Sequence, residues 1–310
     1  MATGRTSLTE TELPALPLEE WRPTKETLHR YAQIVGKVRL EHSPYRNHWW
    51  HVPLYVYPRG LAARHMFSGD LPFEVSFDLI SHELEVLSGA GDRAAFALED
   101  GLSVASFYRK LLAAFEYLGV DVDLNDPTPF DLDDDRHFEA DTEHASYDEE
   151  YVERYRRVLA WVDHVFREFS SRFNGKTSPV QLYWHSFDLA VTRFSGRRAP
   201  LPEDADLLTR EGYSHEVISF GFWPGDANVP EPAFYSYTAP APEDLTEQPL
   251  SPASASWQGG SAMLPYEAVR GSESPKDTLL EFLESAYQAG AKTANWDIED
   301  FKAVPASADR

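Results

Sequence analysis

Two rhythms of apolar residues run along the chain. In FEVSFD (73–78), Phe73, Val75 and Phe77 alternate with Glu74, Ser76 and Asp78. A period of two predicts a strand with one buried face. The strand pattern extends over 73–87 with a turn near Ser81 and His82, and RAAFALE (93–99) predicts the next strand. A period near 3.6 predicts helices instead. Over 24–40 it places Leu28, Tyr31, Ile34, Val35 and Val38 on one stripe, with Thr24 as the N-cap. Over 103–118 it aligns Val104, Phe107, Leu111, Phe115 and Leu118, and 148–173 and 275–293 read the same way. Further strands are predicted at about 180–194, 215–223, 233–238 and 262–266. RNHWWHVPLYV (46–56) reads as a strand with bulk on both faces, covered on both sides, and Pro53 marks an edge or a bulge.

Two of these segments resemble each other. HSPYRNHWWHVPLYVYPRG and KTSPVQLYWHSFDLAVTRF each follow a long helix and carry Ser-Pro, then Trp-His (50–51 and 184–185), then an arginine eight residues on (Arg59 and Arg193). The expectation is an α+β fold of two pseudo-repeated αβββα-like halves, their antiparallel sheets covered by helices. The halves span 14–123 and 148–298. An acidic connector joins them at 124–147, and flexible tails lie at 1–13 and 303–310, all within one full-length unit.

Charge sharpens this picture. The net charge is -23 over 310 residues. Residues 121–150 alone hold thirteen Asp and Glu against Arg136. The plainest reading of that stretch is a solvated linker. Such a field repels nucleic acid and anionic lipid, so neither is expected as a partner. There is no cysteine, which excludes disulfides and thiolate chemistry. No apolar run approaches the roughly 18–20 residues of a membrane span, and the start lacks a secretory pattern. A cytoplasmic protein is the expectation. Signatures such as GxSxG, the P-loop, GxGxxG and HExxH do not occur.

RNHWWHVPLYV, DTEHASYD (141–148), GKTSPVQLYWHSFDLAVTRFSGRR (175–198) and YSHEVISFGFWPG (213–225) resemble a bacterial family of uncharacterised proteins, a domain of unknown function. The resemblance covers about residues 13–298. It implies a single unit and directs attention to these four segments, but it implies no reaction.

Histidine carries protons near neutral pH and commonly binds metals. In an enzyme, His51, His144 or His215 would be the general acid or base. Glu143 or Asp188 would orient it, and Arg193 would hold an anionic substrate group. Trp49, Trp50, Trp184 and Trp223, with Tyr183, Tyr235 and Tyr237, would wall an aromatic pocket for that small molecule. A divalent metal, the one candidate cofactor, would take His48 or His51 with Glu143 and His144. The repeated spacing also predicts that His51 of one half meets Arg193 of the other. Arg193, Arg197 and Arg198, with Lys176 shortly upstream, form a positive island in this acidic chain. Each residue has a plainer role: histidines bonded to backbone, acids at a helix start, aromatic rings as core, Asp188 paired with arginine. Three functions follow: a small-molecule enzyme of unknown reaction, a non-catalytic ligand-binding protein, or an interaction module that uses the acidic connector. The first two require that the distant motifs converge on one concave wall.

Overall fold

The computed structural model describes residues 12–303. The N-terminal half runs α1 (Leu18–His42), β1 (Tyr55–Tyr57), β2 (Gly60–Ser68), β3 (Leu71–Asp78), β4 (Glu83–Ser88), β5 (Arg93–Ala97) and α2 (Val104–Tyr117). The C-terminal half runs α3 (Glu149–Ser171), β6 (Gln181–Tyr183), β7 (Asp188–Arg198), α4 (Leu207–Gly212), β8 (His215–Trp223) and β9 (Ala233–Ala239). It closes with β10 (Ser256–Gln258), β11 (Ser261–Pro265), α5 (Tyr266–Arg270) and α6 (Pro275–Thr293). The fold is α+β with two antiparallel sheets. The first is a meander in chain order, β1 to β5, and the second is ordered β10-β11-β9-β8-β7-β6. Leu54 and Leu182 exchange both backbone hydrogen bonds at 2.8 Å and join the two sheets.

Alternation in β3 works as its sequence requires. Phe73 and Phe77 meet Phe115 and Phe107 of α2 at 5.7 and 6.2 Å. The apolar stripe of α3 covers the second sheet through Phe166 on Phe234 and Phe169 on Phe220. α6 approaches the same face so closely that a Cβ on Gly290 would lie 2.4 Å from the Thr238 hydroxyl. Asp148 caps α3 by accepting from the amides of Glu150 and Tyr151.

The halves depart from three strands each: they carry five and six. The Trp-His pairs occupy unlike places. Trp50-His51 sits in the approach to β1, whereas Trp184-His185 follows β6 directly. Segment 46–53 is no strand. Its 3-10 turn at Asn47–Trp49 holds His48 and Trp49 at φ of 58° and 60°, a left-handed backbone that alternation forbids. Residues 184–187 likewise turn between β6 and β7.

α1 begins at Leu18, so Thr24 is an interior residue whose hydroxyl accepts the Asp148 amide. The helix is buried on every side from Thr27 to Arg39. The acidic segment is the reason: it lies along α1, while most of its carboxylates stay exposed. Asp126 pairs with Lys37 at 2.8 Å, Phe130 exchanges hydrogen bonds with Gln33, and Asp141 lies 3.4 Å from Arg30. Of the expected tails, only Glu12, Leu13 and Ala303 lie within the described residues, and Leu13 is buried in the core.

Candidate functional site

α3 and α6 cover one face of the second sheet, so alternate residues of β7, β8 and β9 point the other way. That second face is polar and aromatic. Asp188, Ala190, Thr192 and Phe194 lie on it from β7, Ser219, Gly221 and Trp223 from β8, and Tyr235 and Tyr237 from β9. Tyr183 of β6 stands directly across from Asp188. The tyrosines and Trp223 are half-buried. Gly221 faces Tyr235, and a Cβ there would lie 2.2 Å from the phenol ring, so the ring lies flat on bare backbone.

Asp188 is 5% exposed, and among the described residues it makes no ion pair. Its two oxygens accept hydrogen bonds from the Ser186 and Tyr235 hydroxyls. Burial, and then the Asp188 charge, raise the Tyr235 phenol well above its ordinary pKa. Tyr235 therefore keeps its proton and donates it to the carboxylate. Tyr237 stacks on Tyr235 at 6.1 Å, and its hydroxyl bonds that of Tyr213 at 3.1 Å. Trp223 meets Tyr235 edge-on at 6.4 Å. His185, in the turn before β7, is held below its ordinary pKa by burial, with Asp188 opposing.

At the other end of this face stands His48. Its Nδ1 lies 3.1 Å from the Glu211 carbonyl of α4 and its Nε2 lies 2.6 Å from the Lys176 ammonium. A carbonyl only accepts, so Nδ1 carries the proton and Nε2 accepts from lysine. The Lys176 ammonium also sits 5.2 and 4.8 Å from the Trp50 and Phe194 ring centres. The His215 ring is 5.6 Å from His48. Burial, then the Lys176 charge, hold both histidines below their ordinary pKa. Two consecutive left-handed residues, His48 and Trp49, are the backbone strain that places this ring.

The structure thus gathers Asp188 and Trp223 around Tyr235, and His48, Trp50 and His215 around Lys176. The remaining expected residues lie elsewhere. Arg193 is 2% exposed and points to the helix-covered face. Its guanidinium donates to the Phe169 carbonyl and lies over the Phe169 and Tyr287 rings at 3.6 and 4.4 Å. It therefore holds no ligand on the open face, and it does not meet His51. The His51 ring packs on Trp49 and Tyr45, with Nδ1 3.2 Å from both the amide and the carbonyl of Arg46. Trp184 lies against Gly36 of α1 and donates to the Val52 carbonyl.

His144 bonds Asp141 at 2.8 Å, and Glu143 pairs with Arg136. The proposed metal set of His48, His51, Glu143 and His144 does not assemble. Among the described residues one group has the spacing for an ion: Asp134, Asp141 and His144. Arg30 already lies against both of those carboxylates, 3.4 and 4.0 Å away.

Sequence reasoning missed Ser186, Tyr213 and the pairing of Lys176 with His48. A partial signal existed in AFYSYTA (233–239), whose alternation sets Tyr235 and Tyr237 on one face. No helix among the described residues is long and apolar enough to cross a membrane. No curated protein and no solved structure matches the chain. Residues 13–303 match a family described as "Family of unknown function (DUF5996)", and the chain belongs to that family.

Proposed function

We propose that the protein is a small-molecule enzyme whose ligand lies on the tyrosine-lined face of β7, β8 and β9. Asp188 is its acid–base group and Tyr235 the hydrogen-bond donor beside it. The reading rests on one observation above all: a nearly buried carboxylate with hydroxyl partners and no cation among the described residues. Desolvating a carboxylate without a counter-charge is costly, and functional sites are where such arrangements concentrate. Asp188 is placed to take a proton from a bound molecule, and Tyr235 to donate to charge that develops on it. The half-buried rings of Tyr183, Tyr237 and Trp223 offer stacking surface to a planar body. A cytoplasmic setting fits a chain without cysteine.

Ligand-detected NMR against a library of small planar polar compounds tests this reading. Hits should weaken or cease to turn over in Asp188→Asn and Tyr235→Phe, with thermal melts showing that both variants fold. Hits that bind and react equally well in both variants would overturn it. Hits that bind wild type but are never altered would leave a binding protein and remove the acid–base role.

A further inference from the structure

We propose that Lys176, His215 and Arg198, backed by His48, form an anion-binding site for a small molecule bearing a phosphate or carboxylate group. The site goes beyond the Asp188 reading and stands or falls separately from it. Arg198 and His215 are direct partners across β7 and β8. The His48 ring joins His215 at 5.6 Å, and Lys176 joins His48 at 2.6 Å. Three basic groups thus crowd one corner of a chain that carries 51 acidic residues against 28 Lys and Arg. Among the described residues, none of the three has a carboxylate within ion-pair distance. The nearby acids are engaged elsewhere: Glu211 takes the Tyr45 hydroxyl, and Glu216 pairs with Arg197 at 2.7 Å.

The ammonium of Lys176 is also fixed. One of its N–H groups enters His48, whose buried ring is itself anchored on the Glu211 carbonyl. The Trp50 and Phe194 rings flank it, which leaves two N–H donors for a ligand. Burial, then the Lys176 charge, lower both histidines, and Arg198 adds to this at His215, so the corner lacks a counter-charge. An oxyanion would supply one and accept from Lys176 and Arg198. Trp50, which flanks Lys176, also lines an open groove of about 560 Å³ with Arg46, Ser170, Thr177 and Ser178, a groove that Lys176, His48, His215 and Arg198 do not themselves line.

The test is an NMR titration of the full chain with sulfate and, separately, with acetate, chloride being exchanged to hold ionic strength constant. Saturable shifts should centre on His48, Lys176, Arg198 and His215. Lys176→Gln and Arg198→Gln should each weaken binding about tenfold, the usual effect of losing one charge-assisted hydrogen bond. Arg109→Gln, on α2, should leave it unchanged. Tighter sulfate binding identifies a phosphoryl-type ligand, and tighter acetate binding a carboxylate. Shifts no larger than chloride produces, or equal affinity in Lys176→Gln, would overturn the proposal.

Discussion

Acid should unfold this protein earlier than its carboxylates alone require, because of His29. The residue lies on α1 at 5% exposure, its ring stacked 4.8 Å from Phe187. Its Nε2 lies 2.9 Å from the Trp184 carbonyl and 3.2 Å from that of His185. Carbonyls only accept, so Nε2 holds the single proton of a neutral ring. A second proton would put a charge into the core. Burial, and then the Lys25 charge, lower the pKa from 6.5 to about 3. The folded value lies below the unfolded one, so the unfolded chain binds the proton first as pH falls. The stabilisation is therefore complete above pH 6.5 and is lost on acidification, down to about pH 3. Each pH unit in that window costs about 1.4 kcal/mol, so moving from about pH 6.5 to about pH 4.5 costs roughly 3 kcal/mol. Urea unfolding at constant ionic strength measures this directly. His29→Gln keeps an N–H donor but cannot take the second proton. Its stability should fall with acid less steeply than that of wild type by about 1.4 kcal/mol per pH unit. Carboxylates titrate in both chains and cancel in the difference. Parallel stability curves would refute the argument, because His29 would then have to accept its second proton at little cost.

Other perturbations reach the second sheet and the acidic segment along α1. Gly221→Ala drives a methyl group into the Tyr235 ring, and thermal melts should show a loss of about 1–3 kcal/mol. In a Tyr235→Ala background the same change should cost far less, and equal losses in both backgrounds would separate the two residues. Arg193→Ala empties a site packed between Phe169 and Tyr287 and should cost about 3 kcal/mol or more in urea. Arg193→Met, which keeps the stem volume, should recover much of that loss. Lys37 holds the Asp126 carboxyl below the ordinary carboxylate range, so this pair stabilises the fold above that range and ceases to do so as the acid protonates. Asp126 is largely exposed, so Asp126→Asn should cost under about 1 kcal/mol at neutral pH, and less in 1 M salt.

Elements with one buried face were legible: β3, α2 and α3 follow their apolar periods to within a few residues. β2 was not, because its alternation breaks at a bulge between Ala63 and Met66, where His65 is left-handed. The Trp-His stretch misled for a related reason. Aromatic residues favour strands, but left-handed His48 is held by contacts with Lys176, Glu211 and Phe194. Those partners lie 128 to 163 residues away, and no local propensity records them.

The same separation governs the candidate site. The sequence expects Asp188 to orient a histidine or pair with an arginine, yet its partner Tyr235 is 47 residues along and two strands over. Only the β7-β8-β9 order makes them neighbours, and only a glycine at 221 lets the ring lie between them. Arg193 shows the converse. Its charge suggested an anion site, but strand alternation turns it toward α3, while Phe194, one residue on, faces His48. A single step of register therefore decides which basic group meets solvent. Within the basic stretch at 176–198 the fold buries Arg193 and leaves Lys176, Arg197 and Arg198 exposed.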